Sequence, residues 1–500
     1  MNAPLRKAGV VLLVLFGLLF ANLNWVQAYK ADDYRTSDYN RRVQVAEYER
    51  PRGVLEAGGK ALAQSKLTDG TLKYLRTYPE KLKYAHVIGY KPVNNAETGL
   101  ERSEDDFLAG TSDKLFADRL SDMFTGDNTG GGNVILSLKT KAQDVAWKEL
   151  TQNERGVKKG AAIAMDPRTG AIQAMVSMPS YDPNPLASHD EDTFDKAFDK
   201  LNDDRDKPLL NRGIADTKPP GSTYKVLIAA AALQAGRTPE TSIKAGPSYT
   251  APGTGTPIRN SSPGVCPEDQ RTLKEALTES CNTGFARLGV DLGADAVKKI
   301  SQDFGFGQTD LTVGNLRGGG LPVASSDTGP MTNPDGGVDR AALAQSSIGQ
   351  RDVRMTVLQG TMIAAAIAND GKQMRPYLVQ QLLSAERRPI YNADPQVLRT
   401  PVSSQVAGDL REMMDSVVEN GTGRAAQAEG LKIGGKTGTA DNAEGAEPHG
   451  WFLAYAFNDK GEPVSSVCVM LENVPGGHAS AEAARIAGLI LKAAAGGGRD

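Results

Sequence analysis

"PPGSTYKVLIAAAALQAG", residues 219–236, decides how this chain is read. Two prolines and a glycine lead to Ser222, Lys225 follows three positions later, and an almost unbroken apolar run continues to Leu233. The run has the composition of a helix buried on every side. A lysine at its start loses its hydration, so Lys225 either snorkels to the surface or has its charge and proton put to use. Pro220 fixes the approach, Gly221 allows a tight turn, and Ser222 falls in the first turn, where unpaired backbone N–H groups favour negative charge. Residues three apart share a helix face, which puts the amine within reach of the hydroxyl. A desolvated lysine near other positive groups gives up its proton readily and becomes a base able to activate a serine. The bland alternative is an N-capping serine beside a snorkelling lysine, and S-x-x-K alone does not separate the two.

Two more short patterns follow in the chain. In "TESCNTGFARLG", Ser280 and Asn282 stand at alternate positions. On a short loop such a pair points a hydroxyl, able to shuttle a proton, and a carboxamide, able to hold an amide, in one direction; a helix cap or turn uses the same residues. In "GGKTGTAD", Lys436 and Gly438 face one side of a strand and Thr437 and Thr439 the other. Gly438 leaves room for a peptide laid along the strand, and Lys436 supplies a fixed positive charge for an anionic substrate end while lowering the pKa of Lys225. A solvated strand edge is the alternative reading of K-T-G by itself. S-x-x-K, S-x-N and K-T-G each occur once, in this order.

At 500 residues the chain is too long for one ordinary core. A formal net charge of -3 argues against a nucleic-acid partner, and four histidines and three cysteines without ligand spacing argue against a zinc site. Arg6 and Lys7 precede a stretch without charge from Ala8 to Tyr29, with Trp25 near its far end. Such a stretch can cross roughly 30 Å of hydrocarbon, and the basic pair keeps the N-terminus cytoplasmic. The rival is a cleaved signal peptide ending near "VQA" (26–28); both readings export the rest.

The pattern divides the chain into a tail (1–7), an anchor (8–29), an N-terminal β-rich region (30–154) and a catalytic region (155–500). Residues 30–52 read as a stalk or a first strand, "RGVLEAGGKALAQS" as strand–turn–strand, and short β-like pieces continue through "YAHVIGYKP". After a glycine-rich break at 124–133, "NVILSLKTKAQDVAWKEL" reads as a strand entering a helix. "GAAIAMDPRTGAIQAMVSM" is a hairpin turning at Pro167–Gly170, and residues 431–440, 451–457 and 465–473 are further strands. A last helix follows, with Ser480 as its N-cap. The catalytic region is therefore α+β, an antiparallel sheet flanked by helices.

The three motifs together are those of penicillin-binding proteins and class A β-lactamases. With "GAAIAMDPRTGAIQAMVSMPSYDPN", "LNRGIADTKPPGSTYKV", "AQSSIGQ" and "GGKTGTA", residues 155–495 resemble the transpeptidase domain of a class B penicillin-binding protein. "RTYPEKLKYAHVIGY" and "TGLE" are most similar to the actinobacterial penicillin-binding protein A branch, whereas "RGVLEAGGKALA" lacks the Asp-Arg-Asn-Gly element usual after the first R-G of class B relatives. The resemblance implies the penicillin-binding fold and a D,D-transpeptidase without cofactor or metal. Its partners would be peptidoglycan stem peptides or their lipid-linked precursor, β-lactams, the cytoplasmic membrane, and cell-division or elongation proteins. It implies that Ser222 is acylated, Lys225 is its base, Ser280 relays a proton to the leaving D-alanine, and Asn282 binds the donor amide. Lys436, Thr437 and Thr439 would hold the terminal carboxylate beside Gly438, with backbone N–H groups of Ser222 and Thr439 as the oxyanion hole. Cys281, inside S-x-N, and the upstream Cys266 would form a disulfide in an oxidising compartment, with Cys468 a buried thiol. The competing functions are a D,D-carboxypeptidase or β-lactamase using the same nucleophile, and a β-lactam sensor, which the short segment before the span disfavours.

Overall fold

The computed structural model describes residues 3–30, 45, 47–115, 130–440 and 447–496. The expected stalk at 30–52 and the glycine-rich break at 124–133 fall largely outside these residues. Helix α1 (Ala3–Asn24) runs on through a π-helical turn at Trp25–Tyr29. Its Arg6–Tyr29 segment is long and apolar enough to cross a membrane, and none of it is buried against the protein.

The first globular strands follow the expected strand–turn–strand order, although only β1 alternates between buried and half-buried residues. β1 (Leu55–Ala57) and β2 (Lys60–Leu67) form an antiparallel hairpin across Gly58 and Gly59, both at positive φ, and β3 (Tyr74–Thr77) pairs with β2. "YAHVIG" departs from expectation: Ala85–Ile88 is a helical turn, α2. All four of its residues are buried, and a short segment buried all round carries no period to distinguish helix from strand. β4 (Asn133–Leu136) then leads into α3 (Thr140–Thr151).

β5 (Gly160–Met165) and β6 (Ile172–Met178) make the expected hairpin. A 3₁₀ turn at Gly221–Tyr224 opens α4 (Lys225–Gln234), which is buried from Lys225 to Leu233. Beyond it lie α5 (Asn282–Leu292), α6 (Val357–Ala368), β7 (Val379–Leu383), β8 (Pro389–Asn392) and α7 (Ser404–Glu419). The chain closes with β9 (Lys432–Ala440), β10 (His449–Phe457), β11 (Pro463–Leu471) and α8 (Ala479–Ala495). The residue capping α8 is His478, without a side-chain cap bond, and Ser480 lies one residue inside the helix rather than at its cap.

The catalytic region is built on a five-stranded sheet, β9-β10-β11-β5-β6, with every pair antiparallel. Both faces are covered, which is why its strands read as continuous apolar runs. Val467, Val469 and Leu471 face the core shared with α8, while Cys468 and Met470 face the core shared with α6. All twelve residues of α6 are buried; each large aliphatic side chain among them contributes about 1.5–3 kcal/mol by leaving water. Gly360 lets α6 approach so closely that a Cβ there would lie 2.6 Å from Cys468 Sγ.

A second sheet has the order β8-β7-β4-β1-β2-β3. Two of its strands come from residues 379–392, far along the chain, and Arg387 forms a two-pronged ion pair with Glu56 across it. The N-terminal β-rich region is thus completed by the catalytic region's own strands. β9 lies at the edge of its sheet, with no further strand beside it among the described residues, and the three motifs meet there.

Candidate active site

Gly221 stands at φ 53, and a Cβ on it would lie 2.3 Å from the carbonyl oxygen of Thr439. The residue before Ser222 must therefore be glycine twice over, for its dihedral and for its approach to β9. Ser222 follows, half-buried, in the 3₁₀ turn, and Lys225 is fully buried at the head of α4.

Lys225 does not hydrogen-bond to Ser222. Its Nζ donates instead to the carbonyl of Ser280 at 2.8 Å and to Asn282 Oδ1 at 2.7 Å, with Ser280 Oγ at 3.4 Å. Phe285 presents its ring 5.9 Å from the same nitrogen. Ser280 is held at φ 63, a left-handed conformation that non-glycine residues seldom adopt, so the bend carrying S-x-N is strained. The bend is tied in two ways. Cys281 is joined to Cys266 by a disulfide, Cα to Cα 6.0 Å. Asn260 Oδ1 accepts from the backbone N–H groups of Asn282 and Thr283, 2.8 and 3.1 Å, serving two of the orphan donors that open α5.

From the other side, Lys436 Nζ donates to Ser280 Oγ at 2.9 Å and contacts Thr437 O at 3.1 Å and Thr437 Oγ1 at 3.3 Å. Thr437 Oγ1 is also bonded to Thr422 Oγ1, whereas Thr439 is exposed. The Ser280 hydroxyl thus sits between the side chains of two buried lysines. Gly438 has a different reason from the one its motif suggests. A Cβ there would lie 2.5 Å from Pro220 O and 2.8 Å from Thr223 Cγ2, so the missing side chain admits the segment around Ser222 rather than a peptide.

Burial drives both lysines toward the neutral form. Lys225 is lowered well below the usual lysine value by desolvation and then by the charge of Lys436. Lys436 is brought down to about 7 by burial, so its positive charge is adjustable near neutrality rather than fixed. A neutral amine has two hydrogens and one lone pair. Lys225 has two close carbonyl acceptors for the hydrogens, which leaves the lone pair to take a proton.

Residues 160–492 match the penicillin-binding protein transpeptidase domain, and residues 52–134 match the penicillin-binding protein A dimerisation domain. The chain belongs to the penicillin-binding protein transpeptidases. It is 42% identical over 477 residues to the peptidoglycan D,D-transpeptidase PbpA of Mycolicibacterium smegmatis, covering 95% of this chain and 94% of the relative. The structure of penicillin-binding protein A from M. tuberculosis as a ceftriaxone acyl-enzyme complex superposes with a TM-score of 0.83 at 39% identity, covering 90% of this chain and 99% of that one. The penicillin G acyl-enzyme complex of the same relative gives a TM-score of 0.81 at 39% identity, with 89% and 99% coverage.

Several residues of this penicillin-binding protein's site escape a motif reading. Asn260 lies in "IRNSSPG", which reads only as a turn, 22 residues before the helix it serves. Thr422 sits in a glycine-flanked loop after α7, and His449 heads β10 opposite Ala440, two residues before the apolar run that marks the strand. Among the described residues no cluster of three His, Cys, Asp or Glu side chains could hold a metal.

Proposed function

We propose that this penicillin-binding protein is a peptidoglycan D,D-transpeptidase acylated on Ser222. One observation carries the assignment of roles: the Ser280 hydroxyl lies between the buried amines of Lys225 and Lys436, and Lys225 heads the helix that continues the Ser222 turn. Neutral Lys225 takes the proton of Ser222 as its oxygen attacks the penultimate D-alanyl carbonyl. The tetrahedral oxyanion is held by the backbone N–H groups of Ser222 and Thr439, a type of contact worth about 2.7–4 kcal/mol per donor. The C–N bond then breaks as Ser280 gives its proton to the leaving D-alanine and takes the one held on Lys225; an amine of a second stem peptide attacks the ester, and the proton it loses returns to the Ser222 oxygen. Asn282 holds the donor amide, while Lys436, Thr437 and Thr439 hold the terminal carboxylate or that of a β-lactam. The Cys266–Cys281 link and Asn260 keep the Ser280 bend in place.

Arg6 and Lys7 ahead of the span support a single-pass anchor with a cytoplasmic N-terminus and an extracytoplasmic catalytic region, where cell-division or elongation proteins would recruit it. The test is intact mass and peptide mapping after penicillin, followed by product analysis with a synthetic stem peptide and an acceptor. A lasting adduct on Ser222 and a cross-linked dimer are expected. Rapid loss of the adduct would instead indicate a β-lactamase, release of D-alanine without cross-linking a carboxypeptidase, and an adduct on another residue would refute the assignment.

A further inference from the structure

A cleft of about 660 Å³ adjoins the cluster, walled by Thr217–Pro219 just before Ser222, by Asn282 and by His449. The wall is continuous with the site, since the Asn282 carboxamide donates to the carbonyl of Arg259 at 3.0 Å. Lys218, Arg259, Arg351 and Arg354 line it against a single carboxylate, Glu472. Most of these charges are already matched. Glu472 is held by Arg212 at 2.9 Å, Lys218 by Asp216 at 3.0 Å, and Arg351 by Asp339 and Asp352 at 3.3 Å each. Arg259 and Arg354 have no carboxylate partner among the described residues.

His449 adds a buried donor. It is 2% exposed, and burial lowers its pKa, so the ring is neutral. The backbone N–H of Asn473 donates to Nδ1 at 3.2 Å, which leaves the proton on Nε2, and that N–H has no protein acceptor among the described residues.

We infer that this cleft is an anion subsite that takes a free carboxylate carried by a stem peptide, separate from the terminal carboxylate assigned to Lys436 and the threonines. The Arg259 guanidinium has no partner among the described residues, and Arg354, whose Nη1 donates to the carbonyls of Arg351 and Val353 at 2.6 and 3.0 Å, keeps Nε and Nη2, the edge that grips a planar carboxylate with two parallel N–H groups. The inference rests on the transpeptidase reading, and penicillin mapping to Ser222 tests that reading separately. Full-length Ser222→Ala protein in detergent binds synthetic stem peptides without turnover. Peptides whose side-branch carboxylates are free are expected to bind about 10- to 100-fold more tightly than the same peptides with those groups amidated. Arg259→Gln, whose side chain is exposed, and Arg354→Gln should each shrink that preference and together abolish it, while the same two changes in the Ser222 protein leave penicillin acylation intact. Peptides ending in D-alanyl-D-alanine, and peptides lacking that end but bearing a free amine, tell whether the carboxylate belongs to the donor or the acceptor; a preference in either arm supports the subsite. Equal affinity for free and amidated peptides in both arms, no measurable binding by either form, or a preference that survives both substitutions overturns it.

Discussion

Gly438→Ala tests how the K-T-G strand and the nucleophile segment depend on each other. The added Cβ would lie 2.5 Å from Pro220 O, 2.8 Å from Thr223 Cγ2 and 3.1 Å from Trp451 Cβ. The nearest of these is backbone, so no side chain can swing aside. Restoring an ordinary 3.4 Å contact requires β9 and the Pro220–Thr223 segment to part by about 0.9 Å. Ser222 rides on that segment, and a displacement of about 1 Å at a reacting group costs on the order of 10²-fold in rate. The overpacking itself destabilises by about 1–3 kcal/mol. Stopped-flow acylation by a chromogenic β-lactam should therefore fall about 100-fold, measured well below a melting temperature that drops only modestly. Acylation within twofold of the parent protein would show that the close packing of β9 on the Ser222 turn does not position the nucleophile.

Lys225→Ala should slow acylation by about 10²–10⁴-fold with little loss of pre-acylation binding; an unchanged rate would make the lysine structural. Asn260→Ala removes the acceptor for two N–H groups at the start of α5, at a cost of about 0.5–2 kcal/mol by thermal or denaturant unfolding, and should loosen Asn282; full stability and full activity would refute its role. The folded pKa of Lys436, about 7, lies below its ordinary 10.5, so between those values the unfolded chain binds a proton that the folded chain lacks. Stability then rises with pH there, by up to ~1.4 kcal/mol per pH unit for this group. The parent protein should gain on Lys436→Met across that window, and parallel stability curves would dispose of the depressed pKa. Esterifying the carboxylate of a penicillin should lower the limiting acylation rate as well as the affinity; a loss of affinity alone would uncouple carboxylate binding from the base.

What could be read from sequence was what local chemistry determines. The all-round apolar helix after Ser222 announced its own burial, and the hairpins at Gly58–Gly59 and Pro167–Gly170 carried their turn residues with them. The motif residues could be named because each needs a particular functional group. Pairings between distant segments left no such mark. Nothing in "VQQLL" or "PIYN" says that residues 379–392 complete a sheet begun at Leu55. Contacts also replaced one expected interaction with another. Lys225 was placed near Ser222 by helical spacing, yet its hydrogens go to two carbonyls 55 and 57 residues away. Gly438 was read as open space for substrate and proved to be filled by the protein's own backbone.

Two lysines around one hydroxyl also set the order in which the site takes up protons. Lys436 has three oxygen partners, a number that the ammonium form alone can serve as donor, and it is half-protonated at about pH 7. That charge, added to burial, holds Lys225 neutral. On the proposed roles, a substrate carboxylate beside Lys436 and the threonine hydroxyls would offset the charge and raise the proton affinity of Lys225. On those roles the base would therefore strengthen once the D-alanyl end is in place. A β-lactam whose carboxylate took the same position would enlist the response meant for the peptide.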